Sequence, residues 1–274
     1  MTRLRLWGPA APFILLVLIA AFGVLLIPFD PERVVAASNL PPSADHWFGT
    51  DSTGMDVLSR TIAGARINLT MALIVTAVAT SGGMVLGLVI GMNEAQRGPL
   101  GIVGRGASRA VDLSDAVPAL IVGIVVVGLF GPSVASLSIA LALILMPNQI
   151  RLTRAEVLKV RHDGYLNAAR MAGLSEVRIM FRHVLPNSCR PALENSSLVF
   201  GISIIVSASL GFLGVGLAPP IPEWGAMVSE GVSDVMLGRW WTSLFPALAL
   251  CLAVASAAAV TATLTRLTRG AASH

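Results

Sequence analysis

Residues 163–186, DGYLNAARMAGLSEVRIMFRHVLP, form a polar, arginine-rich segment between long apolar stretches of the chain. Its first half places four residues at the i, i+3, i+4 and i+7 positions of one helix face, namely Tyr165, Ala168, Ala169 and Ala172. Asp163 has the residue type of an N-cap, and Gly173 has the residue type that ends helices in a left-handed turn. The pattern therefore predicts a first short helix from 163 to 173.

A second short helix is predicted from Ser175, with Glu176 in its first turn. Four apolar residues share one face of this helix: Val177, Met180, Phe181 and Val184. Pro186 is predicted to end it, because proline lacks the N–H that an α-helix needs. Two short helices separated by one glycine predict a compact protrusion that fits a partner protein.

The composition indicates an integral membrane protein. The chain is 55% hydrophobic and 12% charged, with a mean hydropathy of +0.78, far from an average soluble domain. Its basic residues lie in loops beside apolar stretches, which is typical of membrane topology rather than of a nucleic-acid-binding face. Cys189 and Cys251 lie in different kinds of segment, so we expect no disulfide. The four scattered histidines give no metal-ligand spacing.

Six apolar stretches approach the length of about 20 helical residues that a bilayer core requires. We place them at residues 9–28, 67–92, 112–130, 133–150, 195–217 and 244–265. The sequence therefore predicts an all-α membrane protein of about six transmembrane helices. We divide it into a first helix with an external loop, a five-helix core that contains loop 151–190, and a tail: residues 1–66, 67–265 and 266–274.

The basic residues also predict the orientation. The segments that we assign to the cytoplasm contain 15 of the 19 Lys and Arg residues, and the segments 29–66 and 218–243 contain four. Because cytoplasmic loops are enriched in Lys and Arg, we expect both termini and segment 163–186 to be cytoplasmic. The two external segments carry eight of the 15 acidic residues, which we interpret as solvated charge.

The sequence carries no motif of an energy source. It has no Walker A, HExxH or GxSxG motif and no convergent carboxylates. Ion-coupled carriers place charged residues at mid-membrane, and the apolar stretches here are nearly free of them. Four polar residues are candidates for lining a translocation path: Asn68, Asn148, Gln149 and Ser207. We therefore expect a membrane body that is not an enzyme and takes its energy from a partner at segment 163–186.

From Asn167 onward, NAARMAGLSEVRIMFRHVLP resembles the EAA motif of bacterial ABC importer permeases. Five positions match that motif: Ala168, Ala169, Gly173, Leu185 and Pro186. Asn167 stands where the motif usually has Glu. Residues 46–69 and 210–231 are similar to two further segments of the dipeptide/oligopeptide/nickel permease subfamily, with Met55 where the first of these usually has Arg.

The resemblance implies the type I ABC importer permease fold with a cytoplasmic coupling loop. It also implies four kinds of partner in the bacterial plasma (inner) membrane: a second homologous permease subunit, two ATP-binding subunits, an extracytoplasmic substrate-binding protein, and membrane lipid. ATP and Mg²⁺ would belong to the partner ATPase subunits. This chain itself is expected to hold no cofactor, no metal and no nucleic acid.

Residue roles follow from the same resemblance. The residues expected to couple to the ATPase are Asp163, Gly164, Tyr165, Asn167, Ala168, Ala169, Arg170, Ala172, Gly173, Arg178, Leu185 and Pro186. Among these, Tyr165 and the three alanines would form the docking face, and Arg170 and Arg178 would pair with acidic groups of the ATPase. Four residues would form an external gate or contact the binding protein: Pro220, Glu223, Trp224 and Gly225.

Two other functions remain open on the sequence alone. An ion-coupled secondary transporter would need no ATPase partner, and a membrane scaffold without transport would need no external binding protein. The cargo is open as well, because a dipeptide, an oligopeptide and a nickel chelate are all compatible with the resemblance.

Overall fold

A computed structural model of the chain describes residues 11–94, 96–161 and 163–271, and the side chains of all of these except 167 and 264–271. The described part is mostly helical. Its β-structure is limited to an isolated antiparallel bridge between Thr50 and Asp56. The predicted all-α class is confirmed.

Eleven α-helices follow one another along the described residues: α1 (Ala11–Phe22), α2 (Val57–Glu94), α3 (Pro99–Leu113), α4 (Ala119–Phe130), α5 (Val134–Val160), α6 (Gly164–Met171), α7 (Glu176–Ile179), α8 (Leu185–Ser188), α9 (Arg190–Phe212), α10 (Trp224–Met236) and α11 (Trp241–Ala271). Two 3-10 turns extend α1 and α3, at Gly23–Leu25 and Ser114–Ala116. A π-helical turn, Met180–Val184, joins α7 to α8.

Four helices of the described chain are long and apolar enough to cross a bilayer: α2, α5, α9 and the Trp241–Thr263 part of α11. A fifth candidate is the bent pair Pro99–Ala116 and Ala119–Phe130. The shorter apolar helix Ala11–Leu25 corresponds to the first predicted span, whose residues 9 and 10 lie outside the described part. The multi-pass membrane architecture is confirmed, and the count of six crossings stays a prediction.

The third predicted span, 112–130, begins later than expected. Asp112 and Asp115 belong to α3 and its 3-10 turn, and the helix direction changes by 97° before α4. Val117 precedes Pro118 and has an extended backbone, with ψ of 121°. The proline ring disfavours the α conformation in the preceding residue, so the apolar helix starts only at Ala119.

The described residues form two compact units. The first comprises those within Met1–Val75, Gly123–Leu141 and Phe200–His274, and the second those within Thr76–Val122 and Ala142–Val199. The core of the first unit is a buried cluster from α2, α9, α10 and α11: Ala65, Leu69, Ala72, Ile204, Trp224, Met227 and Ala253. The second unit contains segment 163–186.

Within the second unit, glycines bring the backbones of α2 and α5 together. Gly83, Gly87 and Gly91 recur at every fourth residue of α2. A Cβ atom on Gly87 would lie 2.7 Å from the Ile150 carbonyl oxygen, and one on Gly91 would lie 2.8 Å from the Val157 side chain. Such spacing of small residues permits close helix packing in lipid, and α2 and α5 use it here.

Candidate functional site

Segment 163–186 is fixed to the second unit by fully buried apolar side chains. Leu166, Ile179 and Val184 are each 0% exposed. They pack against apolar residues near the ends of α2 and α5: Leu88, Met92 and Val157. Leu166 and Ile179 were not predicted to be anchors. The sequence pattern that could have indicated anchoring was the i, i+3 spacing of Leu166 and Ala169, which places both residues on one helix face.

Other apolar side chains of the segment remain at the surface: Tyr165, Ala168, Met171, Ala172, Val177 and Phe181. Met171 is 89% exposed and Val177 is 65% exposed. Exposed apolar groups on an otherwise polar segment are typical of a protein-contact site. Of the predicted docking face, Ala169 differs, because it is half-buried and packs with the anchors.

The predicted turn at Gly173 is confirmed. Gly173 has φ of +78°, the left-handed region that favours glycine. Its N–H donates to the Arg170 carbonyl (3.0 Å) and the Leu174 N–H donates to the Ala169 carbonyl (3.2 Å), the hydrogen-bond pair of a Schellman helix end. Asp163 occupies the N-cap position of α6, as predicted, without a side-chain capping hydrogen bond.

The predicted helix end at Pro186 is wrong. The chain passes through the π turn Met180–Val184, and Pro186 lies in the first turn of α8. The Leu185 N–H donates to the Met180 carbonyl, five residues back. Because the chain has left the i→i−4 register before the proline, its missing N–H interrupts no α-helical ladder.

The two arginines expected to contact the ATPase differ in their surroundings. Arg170 Nε lies 2.7 Å from Glu176 Oε1, and this hydrogen bond, with the carboxylate charge, raises the pKa of Arg170. The pair ties α6 to α7. Arg178 is exposed and forms no ion pair with the described residues. The Asn167 side chain lies outside the described part, so the effect of that departure from the motif stays a prediction.

An ionic network that we did not predict lies in the same unit as segment 163–186. Arg154 Nε is 2.8 Å from Glu94 Oε2 at the end of α2, and its Nη1 is 3.4 Å from Asp112 Oδ1 of α3. Arg151 Nη1 is 2.7 Å from Asp115 Oδ2. The network joins α5 to the ends of α2 and α3. Its signal in the sequence was the coincidence of acidic helix ends with an arginine-rich loop.

Three of the four candidate path residues are buried within this chain. Asn68 is 1% exposed, Ser207 is 4% exposed and Gln149 is 0% exposed. Gln149 Nε2 donates to Thr80 Oγ1 at 3.0 Å. Asn148 is exposed. The structure gives these three buried side chains internal packing or hydrogen bonds, and their role in a path stays a prediction.

The four candidate external residues are mostly buried in the first unit. Glu223 caps α10, because its carboxylate accepts hydrogen bonds from the N–H groups of Gly225 (2.9 Å) and Ala226 (2.8 Å). Burial raises the pKa of Glu223 to about 7, against the opposing effect of these hydrogen bonds. Trp224 is 1% exposed, and its Nε1 donates to the Thr61 carbonyl at 2.9 Å. Pro220 alone of the four is exposed.

A buried ionic cluster centred on Arg60 was also not predicted. Arg60 Nε lies 3.4 Å from Asp51 Oδ2, and its Nη2 lies 3.6 Å from Glu230 Oε2. His46 Nδ1 lies 2.9 Å from Asp56 Oδ1 nearby in the chain. Our interpretation of the external acidic residues as solvated charge is wrong for Asp56 and Glu223, which are each 1% exposed.

Glu230 also lies on the wall of a cavity of about 460 Å³ in the first unit. The walls come from α4 and the loop after it, from α9 and α10, and from the loop between α9 and α10, and they are largely apolar. Ser229 and Glu230 are the polar residues among them. This volume falls within the range of small-molecule sites, about 300–1,000 Å³.

Comparison with known proteins agrees with this architecture. Residues 83–270 match the family described as binding-protein-dependent transport system inner membrane component. The chain is 36% identical over 248 residues to the di/tripeptide transport system permease protein DppC of Pseudomonas aeruginosa, covering 88% of this chain and 80% of the relative. It is 37% identical over 243 residues to the glutathione transport system permease protein GsiD of Pectobacterium atrosepticum, covering 88% and 78%. The chain therefore belongs to the family of binding-protein-dependent transport system inner membrane components and is a transmembrane permease subunit of an ABC importer.

Proposed function

We propose that this permease subunit forms part of the translocation path for short peptides or peptide-like solutes, and that segment 163–186 couples the path to ATP hydrolysis on partner subunits. The observation that carries the proposal is the division of that segment into buried anchors and an exposed apolar face. Buried anchors alone would only stabilise the loop, whereas an exposed apolar face provides a surface that a partner subunit can bind.

The cargo class is supported by the names of the relatives. The two relatives described above are named for di- and tripeptides and for glutathione, and a third, from Escherichia coli, is named for dipeptides. All of these are short peptides. The cavity of about 460 Å³ beside Glu230 is large enough for a solute of this size.

The proposed partners follow from this assignment. A second permease subunit completes the path, two ATP-binding subunits hold ATP and Mg²⁺, and an extracytoplasmic binding protein delivers the solute. ATP-driven closure of the two ATPase subunits then moves segment 163–186, and the helices rock between inward-facing and outward-facing states. Both termini lie in the cytoplasm in this arrangement.

Each part of segment 163–186 has a place in this mechanism. Leu166 and Ile179 pass movement of the segment to α2 and α5, because they are packed against both helices. The Arg170–Glu176 pair holds α6 and α7 together. Arg178 remains available for a charge-assisted hydrogen bond to an acidic group of the ATPase.

The proposal is tested by replacing Gly173 with Val in the complete importer, reconstituted in nanodiscs with its ATPase subunits and binding protein. A Cβ at Gly173 meets nothing within 4 Å, so the variant acts through its backbone. A left-handed conformation costs a residue with a Cβ about 1–2 kcal/mol. We expect peptide-stimulated ATP hydrolysis to fall at least fivefold, while membrane insertion stays normal.

Gly106→Val of α3 is the matched control, because a Cβ there also meets nothing within 4 Å but the backbone is helical. Wild-type stimulation in both variants would contradict the coupling role of segment 163–186. Peptide uptake by the wild-type protein that requires an ion gradient and no ATP would instead favour a secondary transporter. Absence of any peptide uptake by the complete wild-type complex would favour the scaffold or a different cargo.

A further inference from the structure

A groove of about 450 Å³ runs along the first unit between α1 and α2. Its apolar walls include Val17 and Ala21 of α1 and Leu69 and Leu73 of α2. Phe200 of α9 also lines it and packs edge-on against Phe13 of α1, with ring centroids 5.6 Å apart. The groove therefore offers an elongated apolar surface along two helices that belong to a membrane protein.

Arg66 is the charged residue among the described residues that line this groove. Its side chain is exposed, and it makes neither an ion pair nor a side-chain hydrogen bond with the part of the chain that the structure describes. An arginine beside an apolar surface in a membrane retains a strong preference for an anionic partner. Among the described residues, no anionic group pairs with Arg66.

The position of Arg66 along α2 matches the level of lipid headgroups. Residues 67–93 contain no charged side chain, and Arg66 and Glu94 border this run. At 1.5 Å per residue the run spans about 40 Å, close to the thickness of a bilayer with its headgroups. Arg66 therefore lies where phosphate groups lie, and the apolar groove extends from it toward the bilayer interior.

The length of the groove fits the acyl chain of a phospholipid whose phosphate lies on Arg66. From Arg66 to Leu73 the groove follows α2 for about 10 Å, which is about two thirds of one leaflet of the hydrocarbon core. A phosphate on the guanidinium pairs with the charge of Arg66, and an acyl chain along Leu69 and Leu73 covers the apolar walls of the groove. A zwitterionic headgroup carries its own cation, which weakens the attraction to Arg66.

We propose that this groove is a binding site for one anionic phospholipid, with the phosphate on Arg66 and an acyl chain between α1 and α2. The site is independent of the cargo and of the coupling mechanism, since it depends only on the placement of α1 and α2 in a bilayer. The test uses the purified importer complex, stripped of lipid in detergent and studied by native mass spectrometry. The probes are dioleoyl phosphatidylglycerol and dioleoyl phosphatidylcholine, which share the same acyl chains.

The wild-type complex is expected to retain phosphatidylglycerol about fivefold better than phosphatidylcholine, the effect of one basic residue near an anionic headgroup. Arg66→Gln should abolish this preference, and Arg66→Lys should keep most of it because the charge remains. Arg33→Gln is the control, because Arg33 lies outside the groove and pairs with Asp30 at 3.1 Å. Its lipid preference should equal that of the wild type.

A second variant tests the acyl part without touching the charge. Ala21 is exposed and lines the groove, so Ala21→Leu should fill the groove and lower retention of both lipids. Equal lipid preference in the wild type and in Arg66→Gln would overturn the proposal. The proposal would also be overturned if a photo-crosslinker at position 21 reacted with a protein subunit instead of lipid. Displacement of phosphatidylglycerol by inorganic phosphate would overturn it as well.

Discussion

At the residue scale, the carboxyl group of Glu223 is subject to two opposing effects. Burial disfavours its charged form, whereas the N–H groups of Gly225 and Ala226 favour it. The negative charge of Glu230 on α10 also disfavours the charged form of Glu223. Burial has the larger effect, and the pKa of Glu223 rises from 4.5 to about 7.

This shift predicts how the stability of the protein changes with pH. Between pH 4.5 and 7 the folded protein holds a proton on Glu223 that the unfolded chain releases, so stability from this group falls as the pH rises. The shift corresponds to a loss of up to about 3 kcal/mol. We expect the melting temperature of the wild type, relative to Glu223→Gln, to fall between pH 5 and pH 8 in detergent. A difference that is constant over this range would contradict the prediction.

Single residues also show what the sequence can and cannot predict. Gly173 was predicted correctly because a helix end depends on local backbone conformation, which glycine permits at positive φ. Ala169 was placed on the docking face because its helical spacing puts it on the same side as Tyr165, Ala168 and Ala172. Spacing alone does not show which edge of a helix face is buried and which is exposed. Asp56 and Glu223 were predicted to be solvated, because residue type alone does not show that the fold buries the helix starts where these carboxylates accept backbone hydrogen bonds.

At the element scale, we assign two functions to segment 163–186, which comprises α6, α7, the π turn and the start of α8. Buried residues such as Leu166 attach the segment, and exposed residues such as Met171 are the ones that we propose to contact the ATPase. Both residues belong to α6, five positions apart. A pair of variants can therefore separate the two functions within one helix.

We expect Leu166→Ala to destabilise the second unit by about 2–5 kcal/mol, because it leaves a cavity among fully buried side chains. Met171→Ala removes an apolar group that is 89% exposed, so it should leave the melting temperature unchanged and weaken binding of the ATPase subunit. Melting curves check the expected stability of both variants, and surface plasmon resonance with the ATPase subunit checks the expected loss of binding in Met171→Ala. Equal melting temperatures of Leu166→Ala and wild type would contradict the anchoring role.

Helix ends were predictable to different degrees for physical reasons. Both short helices start where predicted. The start at Ser175 depends on local capping, because the Ser175 hydroxyl accepts a hydrogen bond from the Arg178 N–H, whereas Asp163 holds the N-cap position without such a bond. The effect of Pro186 depends on the π turn before it, which no residue pattern of the segment indicates. The late start of α4 depends on Pro118, a signal that was present in the sequence but was outweighed by the apolar run after it.

At the scale of the whole molecule, Arg60 joins four parts of the first unit: the segment before α2, α2 itself, the loop between α9 and α10, and α10. Asp51 and Glu230 are its ion-pair partners, and its Nη1 lies 3.4 Å from the Pro220 carbonyl. Arg60 and Pro220 are 160 residues apart in the chain. Such a contact is a property of the tertiary fold, so sequence patterns did not reveal it.

Arg60→Met is expected to lower the stability of the protein by about 3 kcal/mol, because it leaves two carboxylates without their cation. The lower end of the usual range applies, since the Glu230 side chain is 36% exposed. The double variant Arg60→Met/Glu230→Gln should recover part of the loss, because one of the unpaired charges is gone. Arg33→Gln, at a side chain that is 81% exposed, is the control. Melting of Arg60→Met at the wild-type temperature would refute the role of this cluster.

The close glycine contacts between α2 and α5 have a mechanical consequence. Gly87 and Gly91 fit closely against the backbone and side chains of α5, and such close packing disfavours sliding of one helix past the other. Two rods joined along their length resist bending more than either rod alone. Leu166 and Ile179 pack against the parts of α2 and α5 that belong to the second unit, so the mechanism proposed above predicts that a push on segment 163–186 moves these parts together as one stiff pair.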